Sequence, residues 1–188
     1  VCSSDLASPD GALEVRSGDA QVGLKLLGAR SVEGSLVEGE VVYAETHPST
    51  DFVVGTAPDR VESFFLLRDS AAPRSFSMSL ALTGFTARLA NGAVEFVDAK
   101  GVARLRMPQP TALDARGTRR SGALTLEGST LTVSLEVTDL AYPILLDPAL
   151  EQIAWTNLGP NVPTWPPPGT TAPPRMTPWA RSTARPTP

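Results

Sequence analysis

One stretch of the chain gathers the side chains that proton-transfer chemistry uses. Glu45-Thr46-His47-Pro48-Ser49-Thr50-Asp51 places the sole histidine among hydroxyls and carboxylates. In a Ser-His-Asp or Cys-His set the imidazole takes a proton from the nucleophile while a carboxylate holds its orientation. Members of such a set converge from distant parts of a fold, so sequence neighbours rarely form one. No Gly-x-Ser-x-Gly turn that would expose a nucleophilic serine accompanies it. His47 is therefore expected to be a surface residue of a loop, and no catalytic residue is assigned.

Metal chemistry finds equally little. Zinc asks for several Cys or His ligands, and the chain has one of each, Cys2 and His47. Calcium asks for clustered carboxylates and carbonyls, for which Asp98, Asp114, Asp139 and Asp147 are the candidates. Each sits at a turn or strand end, where an Asp side chain more often bonds its own backbone. Gly11, Gly18 and Gly23 do not have the spacing of a phosphate-cradling loop. Paired acids flanked by aromatic sugar platforms, as glycoside hydrolysis needs, form no local pattern. No metal site and no cofactor are expected, and the chain is expected not to be an enzyme.

The elements that would have to position any site are strands. Leu131, Val133, Leu135 and Val137 alternate with Thr132, Ser134 and Glu136, the period of a half-buried strand, and Phe76, Met78, Leu80 and Leu82 alternate with small residues in the same way. Asn91-Gly92 between Phe85–Leu89 and Ala93–Val97 suits a two-residue hairpin turn, because both residues tolerate positive φ. Asp98-Ala99-Lys100-Gly101 and Asp114-Ala115-Arg116-Gly117 repeat an Asp-x-x-Gly turn, and Glu127-Gly128-Ser129 separates two further strands. Leu13–Arg16, Gln21–Leu27, Glu40–Ala44, Asp51–Gly55, Val61–Leu67, Val102–Met107, Ala123–Leu126 and Thr130–Val137 complete the set, and no helical stripe appears. The expected fold is all-β: an antiparallel β-sandwich or a partly closed barrel.

Composition sets the boundaries. The chain has 188 residues, 41% of them hydrophobic, and a net charge of −4, which gives no attraction to nucleic acid or to an anionic membrane. No apolar run approaches the roughly 18 residues of a membrane span, and any export signal is expected upstream of the first residue. Ten of the eighteen prolines fall in residues 151–188, so that segment is read as a Pro-rich, largely unstructured tail: a linker, or a damaged start of a repeat domain. Val1-Cys2-Ser3-Ser4-Asp5-Leu6 resembles a translated sequencing adapter, so residues 1–6 are read as an artefactual scrap. Residues 7–150 are the β-sandwich domain.

The segment Asp139-Leu140-Ala141-Tyr142-Pro143-Ile144-Leu145-Leu146-Asp147-Pro148 resembles the closing strand of a β-domain that precedes kelch-like or Rhs-type repeats in large secreted bacterial proteins, especially myxobacterial ones. The resemblance extends to Val41–Ala44 with Thr50–Val54, Arg60–Leu67, Gly92–Asp98, Ala103–Pro108 and Leu113–Gly117, and covers most of residues 12–150. Tyr142-Pro143 suits an edge or terminal strand, which Pro148 ends. Trp155–Leu158 and Pro173-Pro174-Arg175 resemble the opening of a kelch blade, but the His, Tyr and Gly-Gly residues of a blade do not follow, and 176–188 read like GC-rich DNA in a wrong frame.

The resemblance implies a non-catalytic structural or interaction module, extracellular or on the cell surface, leading into a downstream repeat array of the same chain. A surface glycan or a protein is the other expected partner. The alternatives are a carbohydrate-binding module using aromatics such as Tyr43 and Phe64, and an accessory domain of a secreted enzyme or toxin whose active part lies elsewhere.

Overall fold

In Arg60–Leu67 every second side chain, from Val61 to Leu67, is buried, while Glu62, Phe64 and Leu66 on the opposite face are half-covered. That is the alternation of a strand with one face on a core, and it recurs along the chain. The computed structural model describes residues 3–4, 13–17, 19–57 and 60–153, and no helix occurs among them.

Two antiparallel sheets result. The smaller contains β1 (Ser3–Ser4), β2 (Leu13–Ser17), β3 (Ala20–Leu26), β8 (Ser75–Thr83), β14 (Ala123–Glu127) and β15 (Thr130–Ser134), in the order β1-β2-β3-β8-β15-β14. The larger begins with β4 (Ser35–Val37), β5 (Glu40–His47), β6 (Thr50–Ala57) and β7 (Arg60–Leu67), neighbours in that order. On the far side of β7 lie both β16 (Ile144–Asp147) and β17 (Leu150–Gln152), which share its length end to end. β16 continues the sheet through β12 (Thr111–Asp114) to β13 (Arg119–Ser121), and β17 continues it through β11 (Ala103–Met107) and β10 (Ala93–Val97) to β9 (Thr86–Ala90).

The sheets share one core and form a sandwich. Phe65 of the large sheet stacks on Phe76 of the small one with ring centroids 4.0 Å apart, and Phe52 and Tyr43 extend the row across β6 and β5. Val22, Leu131, Val133, Leu105, Val94, Ile144 and Leu146 fill the space around them with no measurable exposure. Burying an aliphatic or aromatic side chain of this size stabilises the fold by about 1.5–3 kcal/mol.

The expected turns are present. Asn91 and Gly92 both have positive φ, 51° and 77°, and join β9 to β10. Gly101 and Gly117 close the two Asp-x-x-Gly turns at φ 77° and 83°. A second turn of the Asn-Gly type, Glu38-Gly39 with φ 51° and 91°, joins β4 to β5; the sequence reading passed over it.

Two expectations are corrected. Thr130–Val137 is not a strand to its end: β15 stops at Ser134, and one further bond in the same register, from the Leu135 N–H to the Arg74 carbonyl, is the last it makes to the β8 side. Its inward alternation persists, with Leu135 and Val137 buried. The strand after Tyr142-Pro143, expected at an edge or as the terminal strand, is one of the last two described strands but lies in the interior of the large sheet. Pro143 precedes β16 and Pro148 falls in the gap before β17, so neither proline removes a donor from within a strand. Of the segments read as scrap and tail, only Ser3–Ser4, paired with β2, and residues 151–153 are described; the rest lies outside the described residues.

Candidate functional site

The His47 segment forms the β5–β6 corner. The β5–β6 register shifts between Tyr43 and His47, and Glu45 and Ser49 take positive φ, 57° and 48°. Apart from Thr46, the hydroxyls and carboxylates of the segment bond groups other than the imidazole. Ser49 Oγ donates to Asp69 Oδ2 at 3.0 Å, Thr50 Oγ1 donates to the Pro48 carbonyl at 2.9 Å, and Asp51 Oδ1 accepts the Glu45 N–H at 2.9 Å. Thr46, the hydroxyl beside the imidazole, is completely buried, 3.4 Å from His47 Nδ1.

His47 itself is not surface decoration. Its ring meets the edge of Phe76 at 5.3 Å and its Nε2 lies 3.3 Å from the Leu27 carbonyl, so it fastens the β3–β4 connection to the corner. Burial, opposed by the Leu27 carbonyl and reinforced by nearby Arg30, holds its pKa below the usual imidazole value. Around it Arg68 pairs with Glu45 and with Asp51 at 3.5 Å, and Arg30 pairs with Glu45 at 3.7 Å. Burial raises the Asp51 pKa.

The four aspartates considered for calcium do different things. Asp114 is a hub whose side chain has no exposure. Its Oδ1 accepts N–H groups from Arg116 and Thr118 at 2.9 and 2.7 Å; its Oδ2 accepts the Ala141 N–H at 2.9 Å and faces Arg116 Nε at 3.3 Å. These donors, the Ala141 N–H foremost, hold its carboxyl far below the ordinary carboxylate range despite burial. Asp98 repeats the turn with N–H groups of Lys100 and Val102 and the Arg104 guanidinium. Asp139 takes positive φ, 65°, and its carbonyl accepts Arg116 Nη2. Asp147 carries a buried Oδ1 with no hydrogen-bond partner; burial, then Glu62 and Glu151, raise its pKa. Among the described residues no group of three or more His, Cys, Asp or Glu side chains is placed to hold a metal ion.

An open groove of about 440 Å³ lies where the chain passes from the large sheet to the small one. Arg74, Ser75, Ser121, Ser134 and Glu136 line it around Gly122. A Cβ on Gly122 would stand 2.8 Å from the Ser134 carbonyl oxygen, so glycine lets β13 run directly into β14. The Thr138 hydroxyl and N–H, with Arg74 nearby, lower the Glu136 pKa. The groove offers hydroxyls, one cationic and one anionic side chain, chemistry suited to holding a polar group; its lining includes no imidazole to activate a serine. Sequence reasoning missed it because its residues come from three separate segments. The proposed sugar platforms fare unequally: Tyr43 is only 4% exposed and stacks in the core, whereas Phe64 lies half-covered on the outer face of β7.

Comparison of the chain with protein-family models, with curated proteins and with solved structures finds no match.

Proposed function

We propose that this β-sandwich is a non-catalytic structural and interaction module of a large secreted or cell-surface bacterial protein, leading into a repeat array that follows in the same chain. The observation that carries this reading is the position of the last two described strands. β16 and β17 are inserted between β7 on one side and β12 and β11 on the other, so the chain leaves from the middle of a sheet, held on both flanks. Such an exit anchors the chain up to Ile153. The titratable groups support the same reading: Asp114, Asp98 and His47 tie turns and connections together. The repeat array, the secreted setting and the bacterial source rest on the resemblance of residues 139–148 and the segments upstream.

A panel of glycan, ester and peptide substrates incubated with the purified full chain tests the non-catalytic assignment. No turnover above buffer is expected; reproducible turnover that His47→Ala or Ser75→Ala abolishes would sink it.

A carbohydrate-binding module is the second reading, favoured by the hydroxyl-lined groove beside Arg74 and Glu136. Glycan-array binding lost on Arg74→Ala would support it, and a blank array would count against it.

A further inference from the structure

The large sheet ends at β4, and this edge is unlike the others. β13 carries Arg119 and Arg120, and the Arg120 guanidinium is fastened to the Glu136 and Thr138 carbonyls. β9 carries Arg88, paired with Glu95 at 2.7 Å, and β14 of the small sheet packs near it. Long charged side chains and covering elements are how sheets discourage further pairing. β4 reads Ser35-Leu36-Val37 with neither device among the described residues. Leu36 is 76% exposed, the most exposed large apolar side chain among the described residues.

Register makes this edge a receptor for a strand. Val37 pairs with Glu40 across the two-residue Glu38-Gly39 turn, so these two exchange hydrogen bonds, as do Ser35 and Val42. Leu36 lies between those pairs, so its N–H and C=O point away from β5. Its side chain stands opposite Val41, which is buried, and thus on the core side of the sheet. A strand added alongside β4 would take both backbone groups of Leu36 and cover its side chain at once.

Charge selects the occupant. Glu33 and Glu38 are exposed beside β4, and Glu40 begins β5. Two copies paired antiparallel about Leu36 would set Glu38 and Glu33 of each against Gly34 and Gly39 of the other, placing two carboxylates side by side at each end of the pairing.

We propose that β4 accepts an extended, basic segment of a partner protein by strand addition, with an apolar residue over Leu36 and Lys or Arg facing the glutamates. This deepens the interaction-module reading and rests on it. A ladder this short binds weakly, with Kd on the order of 0.1 mM.

The test titrates the ¹⁵N-labelled full chain with a nine-residue peptide of alternating Val and Thr ending in Lys, and with its Glu-ended twin. The Lys-ended peptide is expected to shift amides of residues 33–42 and slow exchange of the Leu36 amide, with the twin at least about five-fold weaker. Leu36→Pro removes an outward N–H and no ladder bond, so it should weaken binding about ten-fold with the melting temperature little changed. Leu36→Lys keeps the donor and should weaken binding through lost apolar contact and like charge, which covers the case in which the proline variant fails to fold.

Binding indifferent to both variants, shifts confined to the Arg74–Glu136 groove, or Leu36-dependent self-association in sedimentation would each overturn strand addition while leaving an interaction module standing. No binding by either peptide would overturn it too. Turnover in the substrate panel would instead strike the underlying functional reading.

Discussion

Asp114 accepts N–H groups from its own turn and from Ala141, twenty-seven residues on, and so fastens the 139–143 connection to β12. Those bonds favour the ionised form, so the stabilisation they confer is present above the ordinary carboxylate pKa, near pH 4, and is lost as pH falls through the depressed folded value. Asp114→Ala is expected to lower the melting temperature by about 5–10 °C at neutral pH. In circular-dichroism melts the deficit should shrink with acidification below about pH 4; a deficit independent of pH would refute the role of the charge. Asp147 has the opposite sign. Its folded pKa is raised by burial and by Glu62 and Glu151, so ionisation at neutral pH works against folding. Asp147→Asn should raise the melting temperature by a few degrees at pH 7, with the gain vanishing at about pH 3. At this scale the Asp-x-x-Gly spacing in the sequence announced the turn, but the third donor, from Ala141, depends on a crossover that no local pattern encodes. His47 misled for the same reason: its burial comes from Phe76 and Leu27, both remote in sequence.

Among the elements, period-2 alternation made β7, β8, β10 and β15 readable, because each lays one face on the core and needs no other information. β4, β13 and β17 have only three residues each, too few for alternation to register, and are strands because neighbours offer them a ladder. The large sheet also carries a charge row that only register reveals. Arg60, Glu151, Arg106, Glu95 and Arg88 stand opposite one another across five strands with alternating sign. Exposed pairs such as Arg106–Glu151 contribute at most about 1 kcal/mol each, but a one-residue slip would replace this row with mismatched neighbours. The junction of β13 and β14 is less forgiving. Gly122→Ala places a methyl against the Ser134 carbonyl oxygen at 2.8 Å and the Pro110 ring at 3.3 Å. It should cost about 2–3 kcal/mol in urea unfolding; a loss under about 0.5 kcal/mol would show that the crossover yields easily.

For the whole molecule, two facing sheets and one core follow from many short alternating strands punctuated by Gly, Asn and Asp. The strand order does not, since β3 pairs β8 and β7 pairs β16 across long stretches of chain whose partners are chosen by the assembled core. The insertion of β16 and β17 beside β7 makes the fold depend on its final strands. A chain truncated after Pro143 leaves β7, β12 and β11 with unpaired edges inside the sheet and is expected to show no cooperative melt. One truncated after Ile153 should melt like the full chain, and cooperative unfolding of the shorter form would overturn this dependence. The same insertion bears on how the molecule answers tension. A pull applied beyond Ile153 reaches β17 while it is bonded to β7 and β11 together, so the load falls on two ladders at once. Freeing an edge strand breaks one ladder, whereas freeing this one must break its bonds to both neighbours.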